Sequence, residues 1–362
     1  MPPIYVMAKP ASGECNLRCT YCFYADEIKN RETPSFGKMS DETLEILVRR
    51  VFDEAEGEAG FAFQGGEPTL AGLDFYKKLA VLEEKYNTRR LPVQHSIQTN
   101  GTRIDDEWAA FFHDHGYLVG LSLDGDRALH DGCRLDVRGN GTFDTVLHAA
   151  KLLEKHKAEF NILCTVTNFV ARHPDRVYRF FKQNGFRYLQ FTPCLDSFDA
   201  KTPSPYALTA KRYASFLKTV FDRYYEDYRK GDYVSVRLFD NLVRMTRGER
   251  PEQCGMLGTC TANFILEADG SVYPCDFYMF ETYRMGNIRD LPFSALRESE
   301  PARRFVDESL KTKDECASCR FFPLCHGGCR RYREKNVFLF CEAYKDFFAY
   351  AAPRLVEIGR SL

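Results

Sequence analysis

The chain has 362 residues, of which 44% are hydrophobic and 28% are charged, and its formal net charge is −1. This composition is that of a globular protein of two or three domains, and the near-neutral charge gives no electrostatic argument for binding nucleic acid or an anionic membrane. No apolar run reaches the roughly 20 residues needed to span a bilayer, and the first residues lack the pattern of a secretory signal. We therefore expect a cytoplasmic protein.

Residues 4–192 alternate short apolar runs with amphipathic stretches, a pattern that predicts parallel β–α units. The predicted strands are residues 4–8, 60–64, 93–98, 117–123, 160–166 and 188–192. The first predicted helix begins at residue 41, after a Ser40 N-cap. The other predicted helices span residues 73–86, 105–115, 143–157, 174–184 and 208–230. Six units indicate an α/β fold with a partial (β/α)6 TIM-like barrel, and residues 199–205 are predicted to form a loop.

The chain contains fourteen cysteines, and without an export signal they are expected to bind metal or to be buried. Three lie between residues 15 and 22 and eight between residues 254 and 341, so each dense group predicts a metal site. The remaining three are isolated, at Cys133, Cys164 and Cys194. We expect these to be small buried hydrophobic side chains.

The first cysteine group follows the first predicted strand and has the spacing Cys15-x3-Cys19-x2-Cys22. Soft thiolates on one short loop suit zinc or an iron–sulfur cluster. A structural zinc site needs four ligands and leaves no open position. Three thiols with no fourth ligand close behind therefore indicate a 4Fe–4S cluster with one iron open to a small molecule.

Unusual polar residues follow the other predicted strands, at the end where parallel barrels carry their active sites. Gly65-Gly66-Glu67-Pro68 follows the second strand. Its paired glycines let the backbone approach a ligand closely, and the acid can accept hydrogen bonds from an ammonium group. Arg134 carries a guanidinium suited to a carboxylate, although by itself it would be a surface arginine.

The eight C-terminal cysteines have regular spacings, and residues 267–275 predict a β-hairpin with Asp269-Gly270 at its turn. Two further iron–sulfur clusters or two zinc knots would both use such a set. The cysteines are Cys254, Cys260, Cys275, Cys316, Cys319, Cys325, Cys329 and Cys341.

Several strings of the sequence resemble known families. CNLRCTYCFY, FAFQGGEPTLAG, SIQTNGT, VGLSLDG and FNILCTVT are similar to radical S-adenosylmethionine (SAM) enzymes. DGSVYPCDFY and the C-terminal cysteines resemble the SPASM extension of such enzymes. Over its whole length the chain looks like the anaerobic sulfatase-maturating enzymes, which oxidise a cysteine or serine in a C/S-x-P-x-R motif to Cα-formylglycine.

The resemblance implies that Cys15, Cys19 and Cys22 hold a 4Fe–4S cluster that cleaves SAM. Gly65, Gly66 and Glu67 match family positions that hold the amino group of SAM. Ser122 and Arg134 match those that meet its carboxylate. Tyr21 and Leu195 match positions that flank its methionine and adenine portions. Asp126 departs from a common family form, which has a proline there, and we expect only a changed loop.

The resemblance also implies two auxiliary 4Fe–4S clusters that carry electrons. Their ligands would be Cys254, Cys260, Cys275 and Cys329 for one and Cys316, Cys319, Cys325 and Cys341 for the other. Asp276 would be the general base of the reaction, whereas without the resemblance it would as easily be a solvated or turn-forming aspartate. We expect Tyr24, Gln64 and Gln98 to line the peptide channel.

The domains implied are a radical SAM barrel at residues 1–231, a SPASM domain at 232–345 and a C-terminal helix at 346–362. The implied partners are an unfolded or nascent sulfatase and an electron donor such as flavodoxin or ferredoxin, with the enzyme a monomer. Two alternatives remain from the sequence. One is another SPASM enzyme that crosslinks or epimerises a ribosomal peptide, and the other is a zinc-stabilised binding module without activity.

Overall fold

The structure is a computed structural model that describes residues 2–197 and 202–361. Part of the loop predicted at residues 199–205 and the last residue of the predicted C-terminal helix, Leu362, lie outside these ranges. The strands, in chain order, are β1 (Ile4–Ala8), β2 (Ala59–Phe63), β3 (Val93–Thr99), β4 (Tyr117–Ser122), β5 (Phe160–Val166), β6 (Tyr188–Pro193), β7 (Ser235–Val236), β8 (Phe264–Leu266), β9 (Ser271–Tyr273), β10 (Gly286–Asn287), β11 (Arg333–Glu334) and β12 (Val337–Phe338).

The α-helices are more numerous than the sequence predicts, because several short ones occur in the cysteine-rich regions. They are α1 (Phe23–Lys29), α2 (Asp41–Glu54), α3 (Leu73–Tyr86), α4 (Asp106–Asp114), α5 (Arg127–Asp131), α6 (Phe143–Lys155), α7 (Pro174–Gln183), α8 (Ala210–Lys230), α9 (Arg237–Thr246), α10 (Phe293–Arg297), α11 (Glu300–Ser309), α12 (Phe322–Cys325) and α13 (Cys341–Ser361). Across residues 2–197 and 202–361, none of the helices combines the length and the apolar character that a membrane span requires.

Contacts divide the chain into two compact units. The first unit consists of Met1–Ser122, Arg134–Phe160 and Ala262–Phe305. The second unit consists of Leu123–Cys133, Asn161–Thr261 and Val306–Leu362. Both units therefore combine residues from the barrel half and the cysteine-rich third of the sequence. The domain boundaries expected from the sequence stay a prediction.

The first unit contains the strands in the order β10-β9-β8-β1-β2-β3-β4. The run from β8 to β4 is parallel, whereas β9 and β10 run antiparallel to their neighbours. The β8–β9 pair confirms the predicted hairpin. In the parallel register Ala8 lies opposite Phe63, and Phe63 lies opposite Ile97. The residues that follow β1, β2 and β3 therefore come out at one edge of this sheet.

Local sequence explains where the helices of the first unit begin and what they bury. Ser40 caps α2, because its hydroxyl accepts a hydrogen bond from the Thr43 N–H at 3.1 Å. The helix then buries Leu44, Leu47 and Val51 at helical spacing. Asp105 caps α4 in the same way, by accepting from the Trp108 N–H at 2.9 Å.

The second unit contains the parallel strands β5, β6 and β7 and the antiparallel pair β11–β12. Its longest helices are α8 and α13. Thr209 caps the start of α8, and Gly231 follows its end with a left-handed φ of 71°. The aromatic side chains of α8, such as Phe216 and Phe221, are fully buried. This confirms the expectation that they pack in a core.

The predicted strands are confirmed, each within one residue of its predicted ends, and the predicted helices up to residue 230 within two. The C-terminal helix begins at Cys341, five residues before its predicted start. The sequence did not predict α1, a helix that begins directly after Cys22. Its N-cap residue makes no side-chain capping hydrogen bond, so the usual sequence signal for a helix start is missing.

Candidate active site

The cysteine loop and the Gly65-Gly66-Glu67-Pro68 loop pack directly against each other. The Glu67 N–H donates to the Glu14 carbonyl oxygen at 2.7 Å. Gly66 has a φ of 53°, and a Cβ added there would lie 2.2 Å from the same oxygen. Gly65 has a φ of 104°, and its Cβ would lie 2.5 Å from the Nζ of Lys9. Only glycine permits this close approach of the two loops.

Cys15, Cys19 and Cys22 are all half-buried on the loop between β1 and α1. The Cys15 sulfur accepts hydrogen bonds from the Leu17 N–H at 3.4 Å and from Asn100 Nδ2 at 3.8 Å. Burial raises the pKa of Cys15 to about 11, and the charges of Glu67 and Cys22 act in the same direction. Iron would supply the positive charge that a buried thiolate needs, so these residues fit a bound cluster.

Glu67 is 1% exposed, and its carboxylate connects its own loop to the segment at the end of β3. Oε1 accepts from the N–H and hydroxyl of Thr69 and from the Thr99 hydroxyl, at 3.0, 2.6 and 2.7 Å. Oε2 accepts from the Asn100 N–H at 2.7 Å. Burial nevertheless raises the pKa of Glu67. Oε2 retains a lone pair, and this oxygen is therefore the one that can accept from a ligand ammonium.

The other residues assigned to SAM binding are placed as follows. Ser122 ends β4 and is 6% exposed. Arg134 is 8% exposed, and its guanidinium carbon lies 5.5 Å from the ring centre of Tyr21. Leu195 belongs to the second unit, where it is half-buried just beyond β6. The first unit therefore holds Tyr21, Ser122 and Arg134 together with the two loops.

Asp276 is the centre of a buried network of hydrogen bonds. It is 7% exposed, and its Oδ1 accepts from Lys9 Nζ at 2.5 Å. Its Oδ2 accepts from the Tyr24 hydroxyl and from Gln64 Nε2, the latter at 2.9 Å. Gln64 Nε2 also lies 2.9 Å from the Tyr24 oxygen. The expected base is thus held by the side chains of the residues that directly follow β1 and β2 and by a side chain of α1.

Tyr24 remains a neutral hydrogen-bond donor in this network. Burial raises the pKa of its phenol well above the usual value, and the charge of Asp276 raises it further. The ammonium group of Lys9 lies 4.0 Å from the centre of the Tyr24 ring, within the range of a cation–π contact. The only cation that contacts Asp276 among the described residues is therefore Lys9.

The sequence analysis missed Lys9 and Asn100 as site residues. Both directly follow predicted strands, as the chosen polar residues do, so their position was the available signal. Lys9 is 1% exposed, which is rare for a lysine unless it is paired. The expected channel residue Gln98 lies inside β3, opposite Gly120, and is half-buried.

Seven of the eight C-terminal cysteines lie in the second unit, where they fall into two groups. Burial raises the pKa of Cys325 to about 11, and the charges of Cys341, Cys316 and Cys319 raise it further. Burial likewise raises the pKa of Cys329 to about 11, with added effects of Cys254 and Cys260. Cys275 belongs to the first unit, next to Asp276 in the chain.

The described thiols are not gathered around a single metal ion. Within residues 2–197 and 202–361, no three histidine, cysteine, aspartate or glutamate side chains are arranged to hold a single metal ion. In a 4Fe–4S cluster each thiolate binds a different iron, so the sulfurs do not converge on one point. The isolated Cys133, Cys164 and Cys194 are each at most 4% exposed, which confirms that they are buried.

Two family models match the chain. Residues 10–181 match the radical SAM superfamily. Residues 254–320 match SPASM, an iron–sulfur cluster-binding domain. The first match covers the cysteine loop and the loops that surround it, and the second begins at Cys254.

The chain is 47% identical over 369 residues to the cysteine-type anaerobic sulfatase-maturating enzyme of Clostridium perfringens, covering 100% of both chains. It is 32% identical to the serine-type enzyme of Bacteroides thetaiotaomicron, covering 99% of this chain and 92% of that one. A solved structure, native anSMEcpe with bound AdoMet and the Cp18Cys peptide, superposes with a TM-score of 0.95 at 47% identity. It covers 99% of this chain and 99% of its own.

Proposed function

Because this chain belongs to the anaerobic sulfatase-maturating enzymes of the radical SAM superfamily, we propose that it oxidises the cysteine of a sulfatase C-x-P-x-R segment to Cα-formylglycine. Cysteine is favoured over serine because the cysteine-type relative is 47% identical and the serine-type relative 32%. The modification would activate the sulfatase under anaerobic conditions.

The family assignment confirms the fold class expected from the sequence, a partial (β/α)6 radical SAM barrel followed by a SPASM domain. It also confirms that the protein is an enzyme whose cofactors are SAM and 4Fe–4S clusters. The zinc-stabilised binding module and the peptide-crosslinking enzyme considered from the sequence are therefore set aside.

The observation that carries the proposal is the buried Asp276 carboxylate, held ready by Lys9, Tyr24 and Gln64 in the unit that also contains the cysteine loop. When bound, SAM and the clusters supply one-electron chemistry that removes a hydrogen atom from Cβ of the target cysteine and accepts one further electron. Asp276 takes the thiol proton, so that hydrogen atom, proton and electron together leave a thioaldehyde. Water then adds to the thioaldehyde, and hydrogen sulfide leaves to give the aldehyde.

The neighbours of Asp276 set the geometry of this proton transfer. Tyr24 and Gln64 both donate to Oδ2, which fixes the plane of the carboxylate. Lys9 compensates the negative charge at Oδ1. Because the carboxylate is 7% exposed, bulk water is largely kept from it before the substrate arrives.

We assign SAM binding mainly to residues of the cysteine loop, of the Gly65-Gly66-Glu67-Pro68 loop and of the end of β4. Gly65, Gly66 and Glu67 would receive the amino group, with the free lone pair of Glu67 Oε2 as acceptor. Ser122 and Arg134 would bind the carboxylate, and Tyr21 and Leu195 would contact the methionine and adenine portions. The cluster ligands would be Cys15, Cys19 and Cys22.

The auxiliary clusters remain part of the proposal. Cys316, Cys319, Cys325 and Cys341 would hold one cluster in the second unit. The family resemblance assigns the ligands of the other auxiliary cluster. They would be Cys254, Cys260 and Cys329, with Cys275 as the fourth. We further expect an unfolded or nascent sulfatase as substrate, flavodoxin or ferredoxin as electron donor, a monomeric enzyme and action in the cytoplasm.

The experiment that tests the function is anaerobic incubation of the reconstituted enzyme with SAM, dithionite and a C-x-P-x-R peptide. Mass spectrometry should detect the mass change of cysteine to formylglycine. The matched peptides carry serine or alanine at the target position; serine should be converted more slowly and alanine not at all. Formation of 5′-deoxyadenosine without any change in the cysteine peptide would overturn the proposal.

A further inference from the structure

The first unit contains a cavity that the proposed chemistry does not use. It has a volume of about 180 Å³ and lies between the segment after α1 and the β8–β9 hairpin with the turn that follows it. We call it the hairpin cavity. The lining residues on which the argument depends are Arg31, Glu32, Glu267, Asp269, Tyr273 and Glu281. A water molecule occupies about 30 Å³, so this space can hold a long side chain.

The lining of the hairpin cavity carries an excess of negative charge. Glu267 is paired with Arg31 at 2.9 Å, and Glu281 is paired with Arg284 at 3.3 Å. Among the described residues, Glu32 forms no ion pair or hydrogen bond through its side chain. The Asp269 carboxylate accepts, within the described part of the chain, only from the N–H and hydroxyl of Ser271, at 2.9 and 2.8 Å. Two carboxylates therefore face the cavity without a cation.

Tyr273 supplies an independent sign of a ligand. Its side chain lines the cavity and is 6% exposed, yet its hydroxyl makes no hydrogen bond to any described residue. The hydroxyl is therefore available to hydrogen-bond with a group bound in the cavity.

Two connections place the hairpin cavity close to Asp276. Tyr273 precedes Asp276 by three residues, so their Cα atoms are at most about 11 Å apart. On the other wall, Arg31 follows Tyr24 by seven residues, about 10 Å at the rise of a helix. Arg31 also donates to the Met279 sulfur at 3.1 Å, which joins the two walls. One wall of the cavity is therefore close in the chain to Asp276, and the other is close in the chain to Tyr24, which contacts Asp276.

We propose that the hairpin cavity binds the arginine of the C-x-P-x-R substrate, with Glu32 and Asp269 as carboxylate partners and the Tyr273 hydroxyl as a further acceptor. This inference rests on the proposed function. The arginine lies four positions after the target cysteine, a span of up to about 14 Å, which covers the distance from Asp276 to the cavity. A planar guanidinium with five donors matches two carboxylates and a phenol.

The test measures KM and kcat of the holoenzyme with two peptides that differ at one position. One peptide carries arginine at the last motif position, and the other carries citrulline, which keeps the shape and removes the charge. The enzyme variants are Glu32→Gln and Asp269→Asn, with Glu84→Gln as control because Glu84 is exposed on α3 and does not line the cavity. Fluorescence anisotropy of labelled peptide gives the binding constant separately.

In the wild-type enzyme and in Glu84→Gln, citrulline should raise KM and Kd about tenfold, the loss expected for a charged hydrogen bond. In Glu32→Gln and Asp269→Asn, this ratio between the two peptides should fall towards one. A ratio that stays tenfold in both variants, or a wild-type enzyme that does not distinguish the peptides, would overturn the inference. The latter result would leave the proposed function intact, whereas failure to convert either peptide would refute that function.

Discussion

Lys9 and Asp276 are 267 positions apart in the chain, and the ammonium nitrogen of Lys9 lies 2.5 Å from Oδ1 of Asp276. Their side chains are 1% and 10% exposed. The pair is possible because β8 aligns in parallel with β1, and the Lys9 N–H donates to the Leu266 carbonyl oxygen at 2.8 Å. Asp276, which belongs to the cysteine-rich third of the sequence, therefore lies next to the residue that follows the C-terminal end of β1.

Asp276→Asn should lower formylglycine formation by about 10²-fold or more, because an amide cannot take the thiol proton. Cleavage of SAM should be at least partly retained, since Asp276 is assigned no contact with SAM. Both products are measured in one anaerobic assay, formylglycine by mass spectrometry and 5′-deoxyadenosine by chromatography. The control is Asp290→Asn, at an exposed aspartate of the same unit. Full maturation by Asp276→Asn would remove the assigned base.

Lys9→Met should lower the free energy of unfolding by about 3 kcal/mol, because it leaves the Asp276 carboxylate buried without a cation. Urea denaturation of the anaerobic protein measures the loss. The double variant Lys9→Met with Asp276→Asn removes the unpaired charge and should recover part of the stability. If the double variant is as unstable as the sum of the two single variants, the two residues are not coupled.

Gly66→Ala should displace the cysteine loop, since the new Cβ would lie 2.2 Å from the Glu14 carbonyl oxygen. We expect SAM binding to weaken by at least about tenfold and the iron content of the first cluster to fall. Gly57→Ala is the matched control, because Gly57 also has a positive φ but a Cβ there meets no atom within 4 Å. Equal losses in both variants would show that backbone strain, and not the contact between the loops, causes the effect.

Cys15→Ala should abolish the cleavage of SAM, because the first cluster would lose one of its three thiolates. The measurement is 5′-deoxyadenosine after incubation with SAM and dithionite. Cys164→Ala serves as control, since Cys164 is buried in β5 and is not among the assigned ligands. Persistent deoxyadenosine in Cys15→Ala would contradict the assignment of the cluster.

The reconstituted protein should bind about twelve iron atoms, in three clusters of four. Cys325→Ser should reduce this number to about eight, because the cluster assigned to Cys316, Cys319, Cys325 and Cys341 would lose a ligand. Iron and acid-labile sulfide are measured on anaerobically purified protein. An unchanged iron content in Cys325→Ser, or about four irons in the wild-type protein, would refute the assignment of the auxiliary clusters.

The sequence by itself determined the α/β class, the strands and most helices, because these depend on short-range periodicity and capping that each segment carries locally. It also determined the cluster motifs, since the spacing of Cys15, Cys19 and Cys22 on one loop is a local property. The family assignment followed from the same strings. The β8–β9 hairpin was predicted because Asp269-Gly270 supplies the turn.

Only the tertiary structure decided what surrounds the base. The partnership of Lys9, Tyr24 and Gln64 with Asp276 depends on strand register across more than two hundred residues, which no local pattern encodes. The same holds for the hairpin cavity, whose walls come from the segment after α1 and from residues 267–284. A side chain reveals its chemistry in the sequence, but which charges it meets after burial is fixed by long-range packing.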